Sequence, residues 1–438
     1  MPARIVSKAV VAACLIGGLF AALLRGPYTY AGEAADVPEP PMWRQDEIIV
    51  KFNEDADRNV RDALLQQHGC HVSRTCEHSD VHLVKIPEGR TPEDMIGNFM
   101  EHDSVQYAEL NYQVRLFFVP DDPYFRYQWD LSDKAAGGIG MEKAWAVETG
   151  DPNVVIAVVD SGVAFEDYGV YKRAPDLART HFVPGYDFVN NDDHPNDDHG
   201  HGTHVAGTIA QSTNNALGVA GVAFGCSIMP VKVMDANGLG DYFTIVQGIY
   251  FAVNHGARVI NLSLGGSASS VTLEDALKAA YQRGVTLVCS AGNEYQKGNP
   301  VIYPAAYDSY CLAVGATRYD GHRAPYSSTG PHLDVVAPGG DLTVDQNADG
   351  YADGIVQQTF VLDPNTFAYF FFQGTSMAAP HVSGLAGLLN SHGVVGPDKV
   401  RQAIERTAKD LGTPGWDAEY GWGLIDPNAA LTYYDRAR

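Results

Sequence analysis

Residues 374–384 read Gly-Thr-Ser-Met-Ala-Ala-Pro-His-Val-Ser-Gly and place Ser376 at the predicted start of a helix of small residues. Two other segments have a related form. Val-Val-Asp-Ser-Gly ends an apolar strand with Asp160, and His-Gly-His-Gly-Thr-His-Val-Ala-Gly begins a helix of small residues near His201. A serine hydroxyl becomes a nucleophile when an imidazole takes its proton and a carboxylate orients that imidazole. The chain therefore carries a candidate acid, base and nucleophile in the order Asp, His, Ser.

The region from residue 121 onward alternates short apolar strands with helical stretches. These stretches are 154–159, 204–210, 228–233, 242–255, 259–264, 273–283 and 285–290. Such alternation predicts an α/β fold with a doubly wound, mostly parallel sheet. Residues 46–114 follow the order strand, helix, strand, helix, strand, which predicts a small α+β domain with a split βαβ, ferredoxin-like arrangement.

The three segments resemble the Asp, His and Ser signatures of the subtilisin-like serine peptidases, or subtilases, and are most similar to the thermitase branch. The resemblance covers most of the chain. It implies a subtilisin-like peptidase domain at 119–438, in which Asp160, His201 and Ser376 form the catalytic triad. It also implies an endopeptidase that hydrolyses protein or peptide substrates with broad specificity and a preference for apolar residues.

The same resemblance assigns roles to several other residues. Asn293, in Ser-Ala-Gly-Asn after a predicted strand, falls on the asparagine that donates to the oxyanion in this family. His204 matches a second, structural histidine, so we do not expect it to act as the base. The segment 260–266 matches the strand edge that pairs with extended substrate, and with 290–292 it walls the pocket for the residue before the scissile bond. The expected substrate-binding residues are Ser263, Leu264, Gly265, Gly266, Ser290, Ala291, Gly292 and Ile302. A branched Ile302 at the floor of that pocket should favour medium-sized apolar residues over Phe or Tyr.

Three loops are rich in Asp and Asn oxygens, which suit Ca²⁺ because this ion takes about six to eight oxygen ligands. Two of these loops resemble calcium sites of the thermitase branch. The ligands expected at the first site are Asp122, Asp176, the Asn215 side chain and the carbonyls of Ser212, Leu217 and Val219. The ligands expected at the second site are Asp187, Asp192, His194 and Asn196. A solvated acidic turn is the alternative interpretation of the second loop.

A third loop is independent of that resemblance. Asp345, Asn347, Asp349 and Asp353 stand at positions 1, 3, 5 and 9 of an EF-hand-like pattern with glycine at position 6. Position 12 is Val356 rather than Glu, so the usual bidentate ligand is missing. A polar surface turn is the alternative interpretation. We therefore expect one to three structural calcium ions.

Residues 46–118 resemble the inhibitory propeptide of these enzymes. We expect this domain to assist folding, to occupy the cleft as an intramolecular inhibitor and to be removed by cleavage near 115–120. The alternative is a permanent accessory domain. A parallel sheet with distant strand pairings folds slowly, which gives a physical reason for such help.

The N-terminal residues have the composition of a targeting segment. Arg4 and Lys8 precede an apolar run, which predicts a signal peptide at 1–34, followed by a linker at 35–45. An uncleaved anchor and lipidation at Cys14 are the alternatives. We expect a secreted protein in preference to one attached to the cell envelope.

Composition narrows the classes of partner. A net charge of −23 over 438 residues argues against nucleic-acid binding, because phosphates need Lys and Arg for neutralisation. We expect a monomer. Cys289 and Cys311 lie in two apolar, strand-like runs, and the sequence is compatible either with a disulfide bond between them or with two buried free thiols.

Two rival functions are a binding protein on a degraded peptidase fold and a processing peptidase that requires Lys or Arg. The natural substrate and the maturation site stay undetermined.

Overall fold

The computed structural model describes residues 43–112 and 118–434, which fall into two compact units. The predicted signal peptide, the linker up to residue 42 and residues 113–117 near the expected maturation site lie outside the described residues. Each unit has its own hydrophobic core.

The first unit has the order βαββαβ. Its elements are β1 (Trp43–Phe52), α1 (Arg58–Gln67), β2 (His71–Cys76), β3 (Val81–Lys85), α2 (Pro92–Met100) and β4 (Val105–Tyr112). The strands pair antiparallel in the order β2-β3-β1-β4, which is the ferredoxin-like arrangement. Asp57 and Thr91 cap the two helices by accepting backbone N–H groups of the first turn. Met95 and Phe99 of α2 are buried in the same core as Ile48 of β1.

The first unit differs from the sequence-based expectation at two points. Strand β1 begins at Trp43, inside the predicted 35–45 linker. The sequence analysis also did not identify β2, because all of its residues are exposed and it therefore lacks the alternation of apolar and polar residues on which strand prediction depends.

The second unit contains the predicted parallel sheet. Its elements are α3 (Met141–Ala144), β5 (Val155–Asp160), β6 (His181–Phe182), β7 (Tyr186–Asp187), α4 (His201–Ala210), β8 (Ser227–Lys232), α5 (Tyr242–Asn254), β9 (Val259–Leu262), α6 (Val271–Gln282), β10 (Thr286–Ser290), β11 (Cys311–Thr317), β12 (Val335–Pro338), β13 (Ile355–Thr359), β14 (Ala368–Phe372), α7 (Thr375–Ser391), α8 (Pro397–Thr407) and α9 (Pro427–Thr432). The strand order is β12-β11-β10-β9-β5-β8-β6, with β7 also paired to β8, and all these pairs are parallel.

Helices cover both faces of this sheet. In β5, Ile156 and Val158 enter the core that contains α4 and α7, whereas Ala157 and Val159 enter the core that contains α5 and α6. Successive residues of a strand point to opposite faces, so a strand buried on both faces is apolar throughout, as the sequence indicated. The α/β, doubly wound fold class is confirmed. In such sheets, ligands bind beyond the carboxyl ends of the strands, and Asp160 and Ser290 lie at these ends.

Strands β13 and β14 form an antiparallel hairpin that lies between β12 and α7 along the chain. Residues 339–354 precede this hairpin and contain the third predicted calcium loop. Within the described ranges, no helix is long and apolar enough to cross a membrane. The five cysteines in those ranges are free thiols, and Cys289 and Cys311 are both buried on neighbouring strands.

Candidate active site

His201 and Asp160 are in direct contact. His201 Nδ1 lies 2.7 Å from Asp160 Oδ1, and because a carboxylate only accepts, Nδ1 carries the proton. In the neutral imidazole Nε2 is then the basic nitrogen. Burial disfavours the imidazolium form of His201, but the Asp160 carboxylate outweighs this effect and raises the His201 pKa. The pair therefore has the geometry and charge of a general base held by an acid.

Two buried charges that the sequence analysis did not identify hold the segment before His201. Asp197 accepts from Ser161 Oγ at 2.9 Å, from Gly200 N at 2.9 Å and from Thr203 Oγ1 at 2.6 Å. Lys232 Nζ donates to Asp198 Oδ1 at 2.6 Å and to the Ser161 carbonyl at 2.7 Å. Both residues therefore connect the end of β5 to the start of α4, which fixes Asp160 relative to His201.

Ser376 lies in the first turn of α7 and is tied to the end of β9. Its hydroxyl donates to the Ser263 carbonyl at 3.2 Å, and Ser263 Oγ donates to the Ser376 carbonyl at 2.9 Å. Asn261 Nδ2 donates to Ser263 Oγ at 2.9 Å. Ser263, which was predicted to bind substrate, thus also holds the backbone of the candidate nucleophile.

Asn293 is oriented by Thr375. Asn293 Oδ1 accepts from the Thr375 backbone N–H at 2.9 Å and from Thr375 Oγ1 at 3.0 Å, and Thr375 Oγ1 accepts from Gly292 N at 3.1 Å. A Cβ placed on Gly374 would lie 3.5 Å from Asn293 Nδ2 and 3.6 Å from Ser376 N. The amide nitrogen of Asn293 and the backbone nitrogen of Ser376 therefore lie on the same side of Gly374.

His204 is completely buried and does not face the cleft. Its Nε2 lies 3.0 Å from the Ile355 carbonyl and 3.3 Å from the Phe370 carbonyl, and its ring stacks on Phe372 at 4.4 Å. Burial lowers the His204 pKa to about 3, so the ring is neutral. The structure therefore places His204 as a brace between α4 and the β13–β14 hairpin.

The predicted pocket walls meet at Ile302. A Cβ on Gly265 or on Gly292 would lie 2.6 Å from the Ile302 side chain, which is 6 % exposed. Gly266 and Tyr303 exchange backbone hydrogen bonds of 2.8 Å. Ser290, Ala291 and Leu264 are buried beside these glycines in the sequence. Ile302 thus fills the space between the two walls.

Six residues were predicted for the first calcium site, and the structure gathers three side chains of that set. Asp176 Oδ1 accepts from Asn215 Nδ2 at 2.9 Å, and Asp122 Oδ1 accepts from Asn215 N at 3.3 Å. The Leu217 N–H donates to Asn215 Oδ1 at 2.8 Å. The other two members are adjacent, because the backbone N–H of Val219 donates to Asp176 Oδ2 at 3.1 Å and that of Ser212 to the Asp176 carbonyl at 3.0 Å.

These contacts fit a cation. Burial raises the pKa of Asp176 to about 7 and also raises that of Asp122, and no ion pair joins either carboxylate to a described basic residue. Tyr369 OH donates to Asp176 Oδ2 at 3.1 Å, a contact that joins residues 193 positions apart and that no local pattern could reveal. Two buried carboxylates and the side-chain oxygen of Asn215, which here accepts from the Leu217 N–H, are oxygens of the type that Ca²⁺ prefers.

The four residues of the second predicted site lie in two adjoining pairs, and the His194 backbone N–H joins them by donating to Asp192 Oδ1 at 2.8 Å. Asp187 and Asp192 pair through their backbones, and the Asp187 carboxylate accepts from Val189 N and Asn190 N at 2.8 Å. The second pair, His194 Nδ1 and Asn196 Nδ2, both lie 2.9 Å from Glu166 Oε1, and Glu166 was not predicted.

In the third loop, each predicted ligand contacts loop backbone. Asp345 accepts from Gly350 N at 3.1 Å, Asn347 from Asp349 N at 2.9 Å, Asp349 from Tyr351 N at 2.9 Å and Asp353 from Gln346 N at 2.7 Å. No three His, Cys, Asp or Glu side chains already meet as a metal centre in the part of the chain that the structure describes. At each candidate site the ligands would therefore have to close around the ion.

The comparisons with known proteins agree with this geometry. Residues 151–423 match the Subtilase family, Peptidase_S8, and residues 31–111 match the fervidolysin N-terminal prodomain. A thermophilic serine proteinase of Bacillus sp. (strain AK1) is 35 % identical over 90 % of this chain and 89 % of its own length. The halolysin-like extracellular serine protease Nep of Natrialba magadii is 32 % identical over 92 % of this chain and 70 % of its own.

A solved structure of a protease from Pseudoalteromonas arctica superposes with a TM-score of 0.63 at 31 % identity and covers 72 % of this chain and 99 % of that one. The family match spans well over half of the chain. The family resemblance and the presence of an enzyme domain, both predicted from sequence, are thereby confirmed. The chain belongs to the subtilase family of serine peptidases and carries a fervidolysin-like N-terminal prodomain.

Proposed function

We propose that this subtilase is a secreted, self-processing endopeptidase in which Asp160, His201 and Ser376 form the catalytic triad and Asn293 completes the oxyanion hole. The observation that carries the proposal is the 2.7 Å contact between His201 Nδ1 and Asp160 Oδ1, which leaves Nε2 as the base. Ser376 lies in the first turn of α7, where free backbone N–H groups favour developing negative charge.

The reaction follows from these positions. The Ser376 hydroxyl first gives up its hydrogen bond to the Ser263 carbonyl. His201 Nε2 then takes the hydroxyl proton as Ser376 Oγ attacks the scissile carbonyl carbon. The resulting oxyanion accepts from Asn293 Nδ2 and Ser376 N. The imidazolium, stabilised by Asp160, then gives its proton to the leaving amine, and the acyl group stays on Ser376 Oγ. In the second half of the reaction, His201 takes a proton from water as the water attacks the acyl carbon, and it returns that proton to Ser376 Oγ as the acid product leaves.

The substrate pairs in an extended conformation with residues 263–266 and 290–292. Main-chain pairing tolerates many sequences, so specificity falls mainly on the pocket that Ile302 shortens. We infer a preference for medium-sized apolar residues before the scissile bond. The packing of Ile302 against Gly265 and Gly292 supports this inference.

The prodomain match supports a zymogen. We propose that residues 46–118 assist folding, act as an intramolecular inhibitor and are cleaved near 115–120, and that the mature enzyme is monomeric. Secretion is supported by the N-terminal targeting pattern and by an extracellular relative. Ca²⁺ bound by Asp122, Asp176 and Asn215 would neutralise buried carboxylates and so stabilise the fold, and the 187–196 loop is a second candidate. Chelation should therefore lower stability.

The test compares the wild type with Ser376→Ala and with Ser309→Ala, an exposed serine that serves as a matched control. Wild type and Ser309→Ala should hydrolyse casein and acquire a new N-terminus near 115–120, and Ser376→Ala should do neither. The proposal is overturned if the wild type remains inert on casein with calcium present and with its prodomain nicked by an added protease.

A further inference from the structure

The loop that leads into β13 carries a ligand set that the family's triad chemistry does not use. Its side-chain oxygens come from Asp345, Asn347, Asp349 and Asp353, all within nine residues. Asn347 Nδ2 also lies 3.0 Å from Asp349 Oδ2, so these two side chains are adjacent. Backbone N–H groups of the loop donate to side-chain oxygens of Asp345, Asn347 and Asp353.

Asp353 provides an independent sign of a missing partner. The residue is 2 % exposed, and its Oδ2 accepts from Gln346 N at 2.7 Å. Its Oδ1 is buried and has no hydrogen-bond partner among the described residues. An unpaired buried carboxylate oxygen is costly, because desolvation is not offset by a donor.

No basic side chain in the described ranges compensates this charge. The nearby guanidinium of Arg318 pairs with Asp320 at 2.7 Å and with Asp341 at 3.6 Å, not with Asp353. Asp353 therefore places a buried, unpaired carboxylate oxygen at the end of an acidic loop, and no described basic side chain forms an ion pair with it.

We propose that residues 345–353 bind one Ca²⁺ ion. The ligands are the side chains of Asp345, Asn347, Asp349 and Asp353 and the main-chain carbonyl of Tyr351, at positions 1, 3, 5, 9 and 7 of an EF-hand-like loop. The all-oxygen set favours Ca²⁺ over Zn²⁺, which prefers His and Cys. Asp345 and Asp349 are exposed, so their side chains are free to rotate onto the ion.

The missing twelfth ligand sets the strength of the site. Val356 is buried in β13 and offers no side-chain oxygen, so water must complete the coordination. Fewer charged ligands weaken calcium binding, and extracellular modules bind with dissociation constants of about 10⁻⁴–10⁻³ M. We expect an affinity of that order.

A calcium ion in this loop would stabilise the start of the β13–β14 hairpin, which contacts α4. The Asp341 backbone N–H donates to the Asp353 carbonyl at 2.9 Å, and Ile355, two residues later, accepts from His204. Farther along β13, Thr359 Oγ1 donates to the Gly200 carbonyl at 2.6 Å, directly before His201. Calcium would therefore order the base of the hairpin that braces the start of α4. This catalytic consequence rests on the proposed function, but the binding itself does not.

The binding test uses the full-length Ser376→Ala chain, which removes self-digestion. Asp349→Asn is compared with Asp363→Asn, because Asp363 is an equally exposed aspartate whose carboxylate also accepts turn hydrogen bonds, at the tip of the same hairpin. Equilibrium dialysis with calcium alone counts bound ions, and hydrogen–deuterium exchange reports on residues 341–356. Calcium should slow exchange there in the parent and in Asp363→Asn. Asp349→Asn should bind one ion fewer and show no such slowing.

Two results would overturn the proposal: no calcium-dependent change of exchange in the parent, or an unchanged ion count and unchanged slowing in Asp349→Asn. Equal melting temperatures of parent and Asp349→Asn in chelator establish that the variant is folded. If they differ, Asp345→Asn is tested in the same way. Because the assay uses an inactive chain, its outcome is separate from that of the casein test.

Discussion

Thr375→Val tests whether the hydroxyl of Thr375 acts by positioning Asn293. Valine has nearly the same shape but cannot donate to Asn293 Oδ1 at 3.0 Å or accept from Gly292 N at 3.1 Å. Thr375 is fully buried, so the substitution leaves the Gly292 N–H without a partner. An unsatisfied buried donor costs about 1–3 kcal/mol of stability.

The catalytic effect should be smaller than loss of the amide itself. Asn293 Oδ1 keeps its second contact, the Thr375 backbone N–H at 2.9 Å. Losing one of two restraints on the amide costs no more than a net hydrogen bond, about 0.5–1.5 kcal/mol, which is about a 2- to 12-fold lower kcat. Asn293→Ala removes the amide donor itself. The known loss of kcat on removal of such a donor, about 10²–10³-fold, comes from an asparagine of a member of this same family.

The assay is a double-mutant cycle with a peptide anilide that has Leu before the scissile bond. Each variant is matured with a trace of wild type, whose residual rate is measured in a Ser376→Ala sample treated alike. Thr375→Val should lower kcat with little change in KM, and it should have no further effect on kcat when Asn293 is already alanine. An equal loss of kcat in both backgrounds would refute the reasoning, because the hydroxyl would then act independently of Asn293.

Three other perturbations test the remaining parts of the site. The kcat/KM of the wild type should fall as pH decreases through the raised pKa of His201, because the imidazolium cannot accept a proton. In Asp160→Asn the acid limb of this pH profile should move to lower pH, and kcat should drop about 10⁴-fold. An acid limb at the same pH in both proteins would contradict the role of Asp160. Ile302→Ala should raise the ratio of cleavage after Phe to cleavage after Leu by about 10-fold or more, measured on matched peptides, because it lengthens the pocket; a constant ratio would place the pocket floor elsewhere. Calcium at a hundredfold excess over its dissociation constant should stabilise the Ser376→Ala chain by about 2.7 kcal/mol. The same chain with Asp176→Asn should lose most of this stabilisation. Equal calcium-dependent shifts in melting temperature with and without Asp176→Asn would exclude this site.

Much of the fold was predictable because its signals are local. Strands buried on both faces need apolar residues throughout, so β5 and β10 stand out in the sequence, whereas exposed β2 does not. The residues proposed for catalysis lie in short segments rich in glycine and alanine, because substrate and backbone must approach closely there. Local patterns therefore indicated the fold class and the order of acid, base and nucleophile, and the resemblance to the subtilases identified Asp160, His201 and Ser376 as the candidate triad.

Only the tertiary structure decided which residues support that site. Asp197 and Lys232 brace the loop before His201, and Tyr369 donates to Asp176 across 193 positions of sequence. Likewise, the unpaired oxygen of Asp353 became apparent only when the loop was folded. Such contacts depend on how distant segments pack together and leave no periodic pattern along the chain. The sequence by itself determined which chemical groups are present and the elements that carry them, and packing determined which of those groups are brought within hydrogen-bonding distance.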